Sequence, residues 1–228
     1  MKKVILISGG SSGLGKSIAK ELAADYEVFI FGHQLSELKS AAESIGCNYE
    51  LADVTDYPII ERMVKKVVAE KKQIDCLINN AGIYLRGGLE EDSPEDIRRT
   101  MEVNALGAMF CSRAVIPQMK KQKSGLIINV ASQDGLYAKS ERSVYTASKW
   151  AITGLTKCLQ MDLAKYGIRV TGLYPGRMKT NLFKAAGIKE EDFSDALNPV
   201  EAAKAVRFII ETGDRVVIPE IGIKHIDN

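Results

Sequence analysis

The sequence predicts an α/β fold, a doubly wound sheet of about seven parallel strands with helices on both faces. Three observations predict it. Short apolar, β-rich runs alternate with longer segments of helical period from one end of the chain to the other. A glycine-rich stretch joins the first such run to the first helical segment. No linker rich in Gly, Ser or Pro interrupts the alternation, so residues 1–228 are expected to form a single domain.

Residues 4–8 read as the first buried strand, because the apolar run behind Lys2 and Lys3 is too short for a signal peptide and leads straight into glycines. Residues 16–24 follow as a helix, and 27–31 and 47–51 as the next two strands. Ile59, Ile60, Met63, Val64, Val67 and Val68 carry the i, i+3, i+4 spacing of a helix with one face on a sheet. A fourth strand is expected over 74–79. Ser93-Pro94-Glu95-Asp96 then supplies an N-cap hydroxyl, a proline at the first helical position and carboxylates over the positive end of the dipole. That helix is expected to run to about Lys121, ended or kinked near Pro117. Strands over 125–131, 168–173 and 216–221 and a helix over 199–211 complete the pattern. The least patterned stretch, 176–198, has glycine breaks and the acidic run Glu190, Glu191 and Asp192, and is expected to be a mobile loop.

Composition excludes several classes. The content is 46% hydrophobic and 26% charged, as in ordinary globular proteins. No apolar run approaches the ~18 residues needed to cross a bilayer, so a soluble chain without a membrane partner is expected. The net charge is +2 with both signs interspersed, which gives nucleic acid no basic stripe to bind. The densest cluster, Lys120-Lys121-Gln122-Lys123, falls where a helix should end and reads as a solvated last turn. Cys47, Cys76, Cys111 and Cys158 are widely spaced in apolar stretches, with no metal-ligand pattern. They read as reduced core thiols of a cytoplasmic protein, and no metal site is expected.

Ser8-Gly9-Gly10-Ser11-Ser12-Gly13-Leu14-Gly15 connects the first strand to the first helix. Glycines permit the tight turn and bring backbone N–H groups to a pyrophosphate at a helix N-terminus. The G-x-x-x-G-x-G spacing resembles the fingerprint of the short-chain dehydrogenase/reductase family, with Ser8 where that family often has threonine. Further matches lie downstream. Asp53-Val54 ends the third strand where relatives bind adenine, and Asn79-Asn80-Ala81-Gly82 matches the N-N-A-G motif beside the adenosine ribose. An Asp capping the next turn and a bare Asn-Gly turn are the alternatives for these two. The second strand ends in Phe31-Gly32-His33-Gln34 with no carboxylate to take a ribose 2′-hydroxyl, and His33 stands where NADP-dependent relatives carry arginine. NADP(H) is therefore expected over NAD(H).

Tyr145-Thr146-Ala147-Ser148-Lys149 puts a phenol and an ammonium on one helix face, where the cation favours the phenolate. Ser132 precedes Tyr145 by 13 residues, the family spacing of catalytic serine and tyrosine. The resemblance implies that Tyr145 exchanges the proton, Ser132 orients the substrate oxygen, Lys149 also binds the nicotinamide ribose, and Asn104 holds a water beside it. Pro175, Gly176, Met178 and Thr180 match the segment that holds the carboxamide in relatives. The resemblance spans residues 8–180 by motif and implies a Rossmann-type fold and a cofactor-dependent oxidoreductase for a small carbonyl or alcohol. By family analogy it also implies a homodimer or homotetramer, although the C-terminal ending departs from the family's Gly-rich tail. A non-catalytic dinucleotide-binding redox sensor is the competing class, and an epimerase or dehydratase the competing chemistry. Substrate choice is expected to rest on 177–198 and on side chains near 84–88 and 133–140.

Overall fold

Strands of this chain serve two layers at once. In β1 (Val4–Ser8) every residue is buried. Ile5 and Ile7 join one core, and Val4 and Leu6 the other. Because successive strand side chains point to opposite faces, an apolar run of this kind needs cover on both sides. β5 (Gly125–Val130) repeats the pattern, with Leu126, Ile128 and Val130 on the first side and Ile127 on the second.

The computed structural model describes residues 2–187 and 194–227. β2 (Glu27–Gly32), β3 (Asn48–Leu51), β4 (Cys76–Asn79), β6 (Ile168–Pro175) and β7 (Glu220–Ile223) complete a seven-stranded sheet in the order β3-β2-β1-β4-β5-β6-β7. All neighbouring pairs are parallel, which makes this a Rossmann-type α/β fold. Strand order reverses between β1 and β4, so a crevice opens at their carboxyl ends. Ile7 lies opposite Ile78, and Ser8 and Asn79 therefore leave the sheet side by side.

α1 (Gly13–Leu22), α2 (Leu35–Ile45) and α8 (Pro199–Glu211) cover one face through Ile18, Leu38 and Val206. α3 (Tyr57–Lys71), α5 (Gly107–Gln122) and the end of α6 (Ser143–Leu163) cover the other through Ile60, Val115 and Leu163. The Ser93 cap forms as its residues dictate: its hydroxyl accepts from the Asp96 amide at 3.0 Å, with Pro94 opening α4 (Pro94–Met101).

Four expectations are corrected. The helix expected over 93–121 is interrupted by a π turn over Glu102–Leu106. Pro117 lies within the last part of α5, which ends at Gln122, one residue from the expected end. Its ring lies on the exposed side, where water can take the hydrogen bond that proline removes. The last strand starts at Glu220 and not at 216, since Val216 and Val217 are half exposed and Pro219 has no N–H to enter a ladder. Cys158 is exposed, because α6 turns it outward with Gly154 and Met161. Cys76 and Cys111 are buried and Cys47 is half-buried. The stretch expected as a loop carries a short helix, α7 (Leu182–Ala185), and a bridge pairs Met178 with Leu197. Its acidic run at 190–192 lies outside the described residues.

Candidate active site

The glycine turn is shaped by backbone demands. Gly9 and Gly13 have φ of 63° and 52°, a region that favours glycine. A Cβ on Gly15 would fall 2.3 Å from the Gly9 carbonyl oxygen and 2.5 Å from Asn80 Nδ2, so this position admits no side chain. Ser12 stands at the N-cap of α1 without a side-chain cap, which leaves the first-turn amides of Gly13, Leu14 and Gly15 to a ligand or solvent. These features fit an anionic diphosphate at the helix end. Thr180 faces the turn from across the crevice, 3.6 Å from where a Gly13 Cβ would lie. Ser11 is directed elsewhere, its hydroxyl donating to Glu37 at 3.5 Å.

Ser8 has a role that its position alone did not reveal. Its hydroxyl accepts from the amides of Asn80 and Ala81, each at 2.9 Å, while Asn80 Nδ2 donates to the Ser8 and Gly9 carbonyls. The N-N-A-G segment is thereby fastened to the glycine turn. Asp53 Oδ1 accepts from the Thr55 amide and hydroxyl, as an Asp capping its own turn does. Burial pushes the Asp53 carboxyl up, but the Thr55 hydrogen bonds, Arg99 and His33 outweigh it and hold the group below its usual range. His33 is exposed beside Gln34, and Val54 is buried against Gly107. At the other end of the crevice, the Gly176 amide donates to Ile223, and the Thr180 amide donates to the Met178 carbonyl at 2.8 Å. That carbonyl is therefore already partnered.

Ser132, Tyr145, Lys149 and Asn104 converge. Ser132 follows the end of β5, and the two residues on successive turns of α6 face it from the side. Tyr145 and Lys149 are 7% and 5% exposed, so neither side chain is turned to solvent. Lys149 Nζ lies 5.6 Å from the Tyr145 ring centre and donates to the Val130 carbonyl at 3.2 Å. Burial lowers the Lys149 pKa to about 8, with Asp134 opposing the shift. Burial also raises the Tyr145 phenol well above its usual range, and the hydrogen bond from Ser132 only partly offsets this. The Tyr-x-x-x-Lys spacing predicts an ammonium that depresses the phenol. In this structure desolvation prevails, and the phenol stays protonated at neutral pH.

Asn104 sits in the π turn, and both ends of its carboxamide are hydrogen-bonded. Oδ1 accepts from the Ile83 amide at 2.8 Å, while Nδ2 donates to the Ile83 carbonyl at 2.9 Å and to Ser148 Oγ at 3.0 Å. The side chain braces the segment after β4 against α6, and Oδ1 keeps a second lone pair.

Four further residues frame the site. Tyr84 packs edge-on against both Tyr145 and Phe183, with ring centres 4.8 Å apart in each case. Asp134 and Arg142, 3.2 Å apart, form an ion pair beside them. Their only signal in the sequence was position, since both lie between Ser132 and Tyr145.

A parallel α/β sheet with a phosphate-shaped turn at its switch point and a Ser-Tyr-Lys cluster at the same edge defines an oxidoreductase of the dinucleotide-binding class. A family model described as short chain dehydrogenase matches residues 3–191, and the chain belongs to that family. It is 33% identical over 229 residues to an oxidoreductase of Staphylococcus saprophyticus, covering 97% of both chains. It is 38% identical over 200 residues to trans-4-hydroxycyclohexanecarboxylate dehydrogenase of Sinomonas cyclohexanicum, covering 82% of this chain and 76% of the relative. The structure superposes with a TM-score of 0.91 on an alcohol dehydrogenase of Thermococcus sibiricus complexed with 5-hydroxy-NADP, at 26% identity and covering 99% and 97% of the two chains. Among the described residues, no helix is long and apolar enough to cross a membrane, and no cluster of His, Cys, Asp or Glu is suited to a metal ion.

Proposed function

We propose that this chain interconverts an alcohol and a carbonyl compound with NADP(H) in preference to NAD(H), and that Tyr145 exchanges the proton. One observation carries the reading: the Tyr145 phenol is buried beside Ser132, with the Lys149 ammonium 5.6 Å from its ring centre. The glycine turn, Asp53, Asn80 to Gly82 and the segment from Pro175 to Thr180 would hold the dinucleotide. When bound, the nicotinamide supplies or accepts the hydride.

In the reductive direction the buried phenol, held protonated, donates to the substrate oxygen as that oxygen gains charge. Ser132 orients the same oxygen through its hydroxyl. Lys149 is cationic below about pH 8 and stabilises the phenolate left after donation. Asn104 keeps Lys149 and Tyr145 in register by tying α6 to Ile83. Preference for NADP(H) is supported by the absence of an acid at the end of β2 and by His33, whose imidazole can contact a 2′-phosphate.

The test is a panel of carbonyls and alcohols, including trans-4-hydroxycyclohexanecarboxylate, followed at about 340 nm with NADPH, NADH and their oxidised forms. Turnover is expected with the phosphorylated cofactor favoured. Tyr145→Phe is expected to lower turnover by about 10²- to 10⁴-fold while nucleotide affinity stays the same. A variant as active as the parent removes Tyr145 from the chemistry. Nucleotide binding without turnover of any panel member supports a sensor instead. His33→Asp is expected to weaken NADP+ binding by about tenfold or more and to spare NAD+, as read from the two dissociation constants.

A further inference from the structure

We propose that the Asp134–Arg142 ion pair is a clasp that positions Ser132 and Tyr145 relative to each other, a task no spacing motif performs. The proposal rests on the reading of Tyr145 and Ser132 given above.

The two reacting hydroxyls come from separate elements. Ser132 lies on the 3-10 turn that follows β5, and Tyr145 in the first turn of α6. Seven residues of irregular chain, 136–142, separate Gly135 from the start of α6, so backbone alone does not fix the distance between the two hydroxyls. The contacts that do fix it form a continuous chain. The Asp134 amide donates to Ser132 Oγ at 3.1 Å. The Arg142 guanidinium donates from Nη1 to Asp134 Oδ2 at 3.2 Å. Arg142 is the N-cap of α6, and its carbonyl accepts the Thr146 amide at 2.8 Å, so holding Arg142 holds the first turn of that helix. The same guanidinium lies 5.8 Å from the Tyr84 ring centre, and Tyr84 packs on Tyr145. The chain of contacts thus runs from Ser132 to Tyr145 and sets the phenol beside the serine.

Exposure supports a role beyond surface charge. Asp134 and Arg142 side chains are 7% and 26% exposed, whereas the neighbouring Arg86–Glu141 pair is 46% and 64% exposed. A nearly buried carboxylate is costly unless paired, so the pair resists separation. Its charges also reach the phenol. Of the groups facing Tyr145, Asp134 disfavours the phenolate, Arg142 favours it, Ser132 favours it by hydrogen bonding, and Tyr84 disfavours it when ionised. Lys149 stands behind the ring, and its pKa near 8 leaves it neutral at the higher pH where the phenol titrates.

The clasp predicts changes of opposite sign, which a purely structural role does not. The kcat–pH profile for oxidation, measured with saturating NADP+ on the panel alcohol turned over fastest, gives an apparent midpoint for the ternary complex. Arg142→Gln should move that midpoint up by about one pH unit, and Asp134→Asn should move it down. Arg142→Lys, which keeps the charge, should stay close to the parent. On the panel substrate turned over fastest, each neutral variant should lose about tenfold to about a hundredfold in kcat with an unchanged dissociation constant for NADP+. The double variant should lose no more than either single one, because one clasp is broken in all three. Parental midpoints and kcat in both single variants overturn the clasp while an inactive Tyr145→Phe leaves the functional reading standing. Additive losses in the double variant, or parallel losses of kcat and nucleotide affinity, also overturn it. If Asp134→Asn fails to fold, the comparison of Arg142→Gln with Arg142→Lys decides, because that side chain lies partly in solvent.

Discussion

Lys149 is the residue in which function and stability oppose each other most plainly. An ammonium at 5% exposure, with one carbonyl partner, is desolvated enough to bring its pKa down to about 8. A shift of that size corresponds to about 3 kcal/mol of unfavourable burial at neutral pH. Lys149→Met fills the same space without the charge. It should therefore abolish turnover yet raise Tm by several degrees at pH 7, the gain shrinking as the parent's own lysine deprotonates above pH 8. Differential scanning calorimetry at pH 7 and pH 9.5 checks both parts, and a lower Tm for the variant at pH 7 contradicts the assignment. Tyr145, Lys149 and Ser132 were legible in the sequence because helical spacing and a strand end place them whatever the rest of the chain does. Arg142, and the contacts that join it to Asp134 and Tyr84, were not, because these residues meet across irregular segments that have no period to read. The commitment of Asn104 Nδ2 to Ser148 was hidden for the same reason.

Among the elements, those with strong period or strong caps were read closely. β1 (Val4–Ser8) and α8 (Pro199–Glu211) run over the residues expected, the latter with Asn198 accepting from the Val200 amide and Pro199 opening the helix. The π turn at Glu102–Leu106 and the late start of β7 depend on a hydrogen-bond pattern that hydrophobic periodicity does not carry. A π turn inserts one residue into a helix and is retained where a site needs it. Here it brings Asn104 against Ile83 and Ser148. Asn104→Ala leaves the Ile83 amide and carbonyl without these partners, so a stability loss of about 1–3 kcal/mol is expected in urea unfolding, together with loosened registry of α6 and lower kcat. The turn before α1 makes the complementary prediction. Gly15→Ala drives a methyl group into the Gly9 carbonyl, and the backbone must shift to admit it. Nucleotide affinity should fall by at least about tenfold while far-UV circular dichroism remains that of the parent, since only the glycine turn is displaced. Undiminished binding excludes the turn as the diphosphate site.

For the molecule as a whole, the sheet that builds the crevice also sets how stability responds to alkali. Both faces are covered, and cysteines between the layers lose their water. Burial raises the thiols of Cys47 to about 11 and Cys111 to about 12, and raises Cys76 further. Tyr145 is raised by the same cause. For each of these acids the folded chain keeps a proton that the unfolded chain gives up at lower pH. Their contribution is fully present below the unfolded pKa, near ~8.5 for a thiol, and is lost as pH climbs towards the folded values. Lys149 acts in the opposite sense between about 8 and its unfolded value, where the unfolded chain binds the extra proton and rising pH favours folding. One lysine faces three thiols and a phenol, so the acids prevail. Stability should be nearly flat from pH 7 to 8 and fall progressively above about pH 9. The decline should be steeper in Lys149→Met, which has lost the opposing group, and shallower in Cys47→Ala, which has one thiol fewer. Urea midpoints measured at half-unit steps from pH 7 to pH 10.5 separate the three chains. A parent whose midpoint rises over that range refutes the account, because burial of the thiols between the two layers would then not govern the alkaline limb.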